Sequence, residues 1–249
     1  MMKEFFIDLP GAKVNYEGQG MAYIAVPEGT GGGKRSAIVA VHGSGRSAAD
    51  YFSTPFYIRQ RDIVLEQGCI FAAISNCADV WGTDDGFYNL CLLMEYIAQN
   101  HNAKPRVGLW ATSAGGILAN RMVAKHPEKV AFVIGIFPVF DLLSVFSLAS
   151  CRRAWKTEDP EQFKKKVGSI NPAGYPQKLV GHKYYIAHGS ADVAVPLETN
   201  SKKLQILAGE NVYLEIIENG IHGTADFSYY GKAVKMAFSE NVDYFETEQ

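Results

Sequence analysis

The stretch VGLWATSAGGILANR, residues 107–121, passes from an apolar run into a helical one through a knot of very small residues centred on Ser113. Val107, Leu109 and Trp110 read as a strand, while Leu118, Met122 and Val123 repeat near helical spacing until Pro127 stops the helix. A nucleophile displayed on a tight strand-to-helix turn needs small neighbours two residues before and two after it, because larger side chains collide there. Ala111 and Gly115 occupy those positions, and Gly116 lets helix and strand close together. The same turn sets Ser113 at a helix N-terminus, where the amide of Ala114 can face a developing oxyanion. Ala111 stands where the strict G-x-S-x-G pattern has a glycine. The alternative is that Thr112 or Ser113 merely caps the helix.

Outward from this stretch, apolar β-rich runs recur at 5–7, 22–26, 37–41, 70–74, 107–110, 130–136, 184–187 and 212–217. From the third onward they are continuous rather than alternating, as expected of strands covered on both faces, and helical periodicity fills most intervals. The pattern predicts an α/β fold with an eight-stranded, mostly parallel sheet and helices on both faces. The first two runs lack room for a crossover helix and are expected to pair antiparallel at an edge. Asp84 or Asp85 is expected to cap a helix through Leu90, Leu93, Met94 and Ile97, and a final helix is expected over 225–245. The interval between Ile136 and Lys183, with FPVFDLLSVFSLAS, Trp155 and EDPEQFKKK, is too long for an ordinary connection; it predicts a small helical cap at about 138–180 within a single domain spanning 1–249. No repeat or linker divides the chain.

Composition narrows the classes. With 47% hydrophobic and 20% charged residues, a formal net charge of -2 and a pI near 6.3, the chain has no basic stripe for nucleic acid or anionic lipid. Lys164, Lys165 and Lys166 read as a solvated helix face. Glu4 and Asp8 interrupt what a secretory signal would keep apolar, and no apolar run is long enough to span a bilayer, so a cytoplasmic location is expected. Cys69, Cys77, Cys91 and Cys151 form no CxxC pair and are expected as free, mostly buried thiols. The six histidines include no HExxH, so neither metal nor other cofactor is expected. The glycine-rich segment 29–35 lacks the Ser or Thr of a phosphate loop, having Arg35 there, and reads as a flexible strand connection.

Function in an open parallel sheet gathers beyond the carboxyl ends of the strands. After the third run stands His42-Gly43-Ser44-Gly45, whose backbone amides at Ser44 or Gly45 can complete an oxyanion hole with Ala114; His42 reads as a structural residue of that loop. After the seventh stands HGSAD, 188–192, where Asp192 can accept the second imidazole N–H of a catalytic histidine, or else cap the helix after Pro196. Asp141 and Asp226 are spare candidates. After the eighth stands ENGIHG, 218–223, with His222 between Gly220 and Gly223 and able to act as general base. Nucleophile, acid and base thus follow in the chain order Ser113, Asp192, His222.

HGSG, ATSAGG, NPAGYP followed by HGSADVAVP, and NGIHG together resemble the α/β-hydrolase superfamily, in particular its single-domain esterases and the catalytic domains of prolyl-oligopeptidase-like enzymes. The resemblance implies a Ser113–Asp192–His222 triad, oxyanion amides from Ala114 and the Ser44 region, and a serine hydrolase. The expected reaction is hydrolysis of a small carboxylic ester through an acyl-enzyme, with no cofactor and no nucleic acid or membrane partner. Aromatic residues crowd the expected mouth, among them Phe56 and Phe137, and Tyr51, Trp81, Phe140 and Trp155 are candidate contacts for an apolar or aromatic substrate; the alternative is that they pack the cap onto the sheet. Two rival functions stay open: a peptidase or amidase, disfavoured because no propeller segment stands ahead of the catalytic core, and a ligand receptor with little turnover.

Overall fold

The continuous apolar runs form strands because both of their faces are covered. The computed structural model of the chain, which describes residues 2–28, 33–223 and 231–246, contains β1 (Met2–Asp8), β2 (Met21–Pro27), β3 (Ala37–Val41), β4 (Ile70–Ile74), β5 (Val107–Thr112), β6 (Val130–Ile136), β7 (Tyr184–Gly189) and β8 (Val212–Ile217). They make one sheet in the order β1-β2-β4-β3-β5-β6-β7-β8. β2 pairs antiparallel with both β1 and β4, and every other pairing is parallel. β3, β4, β5, β6 and β7 are buried along their whole length, whereas β1, at the edge, is mostly exposed.

Helices cover the two faces: α1 (Asp50–Ser53), α2 (Pro55–Glu66), α3 (Asp84–Asn100), α4 (Gly115–Lys125), α5 (Ala149–Trp155), α6 (Pro160–Val167), α7 (Ser201–Ala208), α8 (Gly231–Ser239) and α9 (Val242–Phe245). Successive strand residues point to opposite faces. Val39, Val41 and Leu109 therefore join α3, α4 and α7 in one core, and Ile38, Ala40 and Trp110 join α2 and α8 in the other. Each fully buried Val, Leu or Ile contributes roughly 1.5–3 kcal/mol, which is why the central strands tolerate so few polar residues.

The order β4-β3-β5 positions the site. The chain leaves β3 toward one side, to β4, and returns over β3 to place β5 on the other, so a crevice opens where the carboxyl ends of β3 and β5 lie side by side. Those ends carry His42-Gly43-Ser44 and Ser113.

Two local expectations change. Thr83, not Asp84 or Asp85, caps α3, its Oγ1 accepting from the Gly86 amide at 3.2 Å; Asp84 instead pairs with Arg121 at 2.7 Å and Asp85 accepts from Asn15 at 2.7 Å. The expected last helix is two, α8 and α9, with Glu240 and Asn241 between them; its start at Ala225, with Phe227 and Tyr230, lies outside the described residues, as do the spare candidate Asp226 and residues 29–32 of the glycine-rich connection. Between β6 and β7 run α5, α6 and the short 3-10 turns Leu142–Val145, Pro172–Gly174 and Pro176–Lys178. Asp159 caps α6, which buries Phe163 and Val167 and leaves Lys164, Lys165 and Lys166 in solvent. Cys69, Cys77, Cys91 and Cys151 are free thiols, and burial pushes those of Cys69 and Cys151 up to about 12. Among the described residues, no helix is long and apolar enough to cross a membrane.

Candidate active site

Ser113 occupies the turn from β5 into α4 with φ +51°, a left-handed conformation that costs a non-glycine residue about 1–3 kcal/mol and persists only where the surroundings enforce it. They do so with backbone and with lack of room. The Ser113 amide donates to the Ile136 carbonyl (3.0 Å), and its own carbonyl accepts from Val139 (2.8 Å) and Gly116 (3.0 Å). A Cβ at Gly115 would lie 2.3 Å from the Val41 carbonyl oxygen, and one at Gly116 2.4 Å from that of Val139. Two glycines thus let α4 close on β3 and on the chain leaving β6. The helix begins without a side-chain cap, so neither Thr112 nor Ser113 serves as one.

The loop after β3 lies against the serine: a Cβ at Gly43 would be 3.4 Å from that of Ser113. His42 is fully buried and braces this loop. Its Nε2 accepts from the Asn76 amide (3.0 Å), which leaves Nδ1 to donate to the Gly43 carbonyl (2.8 Å). Burial lowers its pKa against the smaller effect of that hydrogen bond, which keeps the ring neutral as a structural residue. The Gly43 amide in turn bonds the Tyr57 phenol, whose pKa burial nonetheless raises to about 12. Ser44 Oγ accepts from the Trp81 indole at 3.2 Å. Among the described residues, none of the Ser44, Gly45 and Ala114 N–H groups donates to a protein acceptor.

Asp192 and His222 come from loops zipped to each other. Ser190 donates its amide to Ile217 O and Ala191 to Gly220 O, both at 2.9 Å, and Ser190 Oγ accepts from the Asn219 amide at 2.9 Å. At Gly189 a Cβ would fall 2.1 Å from the Gly220 carbonyl oxygen, so only glycine allows this approach. Asp192 Oδ1 accepts from the amides of Ala194 (3.0 Å) and Val195 (2.8 Å), and Oδ2 from His222 Nδ1 (2.8 Å). Burial works to raise the Asp192 pKa, but hydrogen bonds from His188, His222 and the Val195 amide outweigh it and hold the carboxyl well below the usual range. With Nδ1 donating, His222 Nε2 is the acceptor that faces Ser113 Oγ at 3.0 Å. Asp192 turns its own loop rather than capping a helix, since α7 begins only at Ser201. Asp141 is committed elsewhere, accepting from Leu143 N (3.0 Å) and pairing with Lys203 (2.6 Å).

The expected aromatic contacts divide. Tyr51, Trp81 and Phe140 are at most 1% exposed and belong to the core, which corrects their assignment to substrate: sealed rings cannot touch a ligand in this conformation. Trp155 is half-buried and donates its indole N–H to the Trp81 carbonyl at 3.3 Å. The rings that do approach the chemistry are Phe137, 4.5 Å from the His222 ring, and Phe56, stacked 6.2 Å from Phe137. Hydrophobic pattern cannot separate a core ring from a pocket ring, because both are apolar residues at element ends. His188, in contact with the Asp192 loop, was visible in HGSAD but carries no signal apart from Asp192.

Comparison with known proteins adds the following. The model of the prolyl oligopeptidase family matches residues 79–244. Feruloyl esterase B of Neurospora crassa is 29% identical over 109 residues, a match that covers 38% of this chain and 36% of that protein. Among solved structures, Est1E from Butyrivibrio proteoclasticus superposes with a TM-score of 0.74 at 16% identity, covering 96% of this chain and 99% of the other. A Mycobacterium tuberculosis puromycin-hydrolyzing peptidase gives a TM-score of 0.74 at 15% identity, covering 99% of this chain and 40% of that one. The chain thus spans well under half the length of that peptidase, and at these identities the structural likeness is one of fold.

Proposed function

The chain belongs to the prolyl oligopeptidase family of α/β-hydrolases, and from that premise we propose that it cleaves a small carboxylic ester through an acyl-enzyme at Ser113. The observation that carries this reading is the contact chain from Ser113 Oγ to His222 Nε2 (3.0 Å) and from His222 Nδ1 to Asp192 Oδ2 (2.8 Å). Ser113 Oγ attacks the carbonyl carbon while its proton passes to His222 Nε2, and Asp192 stabilises the imidazolium. The amides of Ala114 and of Ser44 or Gly45 take the oxyanion. The alcohol leaves with the proton from His222, and a water then repeats the sequence to release the acid.

An apolar or aromatic acyl or alcohol group is favoured by Phe56, half-buried and stacked on the Phe137 ring that packs against His222, and by the likeness to a feruloyl esterase. The helices between β6 and β7 are proposed as a cap over this side. A second reading, aminoacyl-amide cleavage, draws on the family match itself.

Labelling by a fluorophosphonate that disappears in Ser113→Ala, with turnover of aromatic over short aliphatic esters and poor turnover of aminoacyl anilides, is the expected result. Equal labelling of Ser113→Ala overturns the nucleophile, and preferential anilide cleavage replaces the ester reading with the amidase one.

A further inference from the structure

We infer that His188 is a positioning residue for the Asp192 carboxylate, a role that rests on the hydrolase reading above. His188 lies near the end of β7 with no exposed surface. Its Nε2 is 2.8 Å from the Val195 carbonyl oxygen and 3.4 Å from Asp192 Oδ2. Both are acceptors, which assigns the ring proton to Nε2. On the other side, Nδ1 is 2.6 Å from Ser201 Oγ, and Ser201 is fully buried at the start of α7. With Nε2 donating to these acceptors, Nδ1 is the nitrogen that meets the Ser201 hydroxyl, which can serve either as donor or as acceptor.

Val195 is thereby held at both ends. Its carbonyl accepts from His188, and its amide donates to Asp192 Oδ1 at 2.8 Å. A residue gripped this way holds the carboxylate by its amide, and Oδ2 then meets His222 Nδ1 on one side and His188 Nε2 on the other. The ionisable groups that face His188 are Asp192 and, beyond it, His222; Ser201 and Val195 are neutral partners. A histidine that merely filled the core would bond Ser201 and Val195 without reaching the one carboxylate that orients the base. The arrangement also accounts for a polar ring buried within an otherwise apolar strand, where it needs every one of its hydrogen bonds.

The test follows the His222 Nδ1–H resonance in the proton NMR spectrum, which reports the bond to Asp192 directly, together with kcat and KM on 4-nitrophenyl butyrate. In His188→Phe the resonance is expected to shift upfield and broaden, while kcat falls about tenfold with KM within about twofold, as when a partner that orients a catalytic group is lost. His188→Gln, which can still present an N–H to Val195 and Asp192, is expected to recover most of both signals. Ser201→Ala, with little change of volume, gives a smaller loss in the same direction and serves if His188→Phe does not fold. A folded His188→Phe or Ser201→Ala protein that loses thermal stability but keeps the resonance and kcat overturns the proposal. The resonance requires no turnover, so it judges His188 even if wild type cleaves no ester, an outcome that would instead sink the hydrolase reading.

Discussion

Around Ser113 the chain is held by lack of room; around Asp192 and His222 it is held mainly by hydrogen bonds between loops. Gly115 and Gly116 are pressed against carbonyl oxygens of Val41 and Val139, and the strained φ of Ser113 is what this packing enforces. Asp192 and His222 depend on donors and acceptors: two amides on Oδ1, two imidazoles near Oδ2, and the bonds from Ser190 and Ala191 to the β8 side. A steric device fails abruptly when an atom is added, whereas a polar one weakens bond by bond. The nucleophile must be exposed at one fixed point, which suits the first. The base must carry a proton between two positions, and the second supplies a pairing that responds to charge.

The largest expected effect falls on the polar side. Asp192→Asn should lower kcat about 10⁴-fold in steady-state assays, by favouring the wrong tautomer of His222, while the far-ultraviolet circular dichroism is unchanged. The same residue brings a pH dependence. Its pKa is depressed in the folded state, so its contribution to stability is complete above the ordinary value of about 3.9 and is lost as pH falls through the depressed one. The difference in urea midpoint between wild type and Asp192→Asn should therefore hold from pH 7 down to about pH 5 and shrink steadily below pH 4. A difference that grows on acidification would break the assignment.

On the steric side, Gly115→Ala puts a methyl 2.3 Å from backbone that has no free end to move. A loss of about 3 kcal/mol or more in urea unfolding is expected, or failure to fold. Ser113→Gly should go the other way, raising stability by about 1 kcal/mol as the strain is relieved, with activity abolished; Ser113→Ala, equally inactive, gains nothing comparable. Equal stability of the two variants would show that the turn is unstrained. Smallest is Ser190→Ala, which removes one exposed bond between the loops and should cost about 0.5 kcal/mol with a few-fold drop in kcat. A drop as large as that of Asp192→Asn would mean that the loops fail all at once, as the Ser113 turn does.

How much of this was legible depends on whether the signal was local. The strands of the central sheet stand in the sequence as apolar runs because burial on both faces demands it, and the runs at 37–41, 70–74, 130–136 and 212–217 coincide with β3, β4, β6 and β8. The loops that meet at the site were legible too, since glycines flanking a serine or histidine at strand ends are unusual for packing. The insertion of β4 between β2 and β3 was not, because pairing partners are chosen across the whole chain. Thr83 outcompeted Asp84 as a cap because Arg121, distant in sequence, claims the Asp84 carboxylate. Tyr51, Trp81 and Phe140 misled for a related reason: an aromatic ring reads identically whether its neighbour is another side chain or a substrate.

The contact between Gly189 and the Gly220 carbonyl has a consequence for the order of assembly. Acid and base come together only when β8 lies in register beside β7, at the far edge of the sheet from β1. A chain whose centre has collapsed without β8 in place therefore has its serine but not its base. During refolding, turnover should return only once β8 has docked beside β7, which makes catalysis a stricter gauge of the finished molecule than burial of its centre.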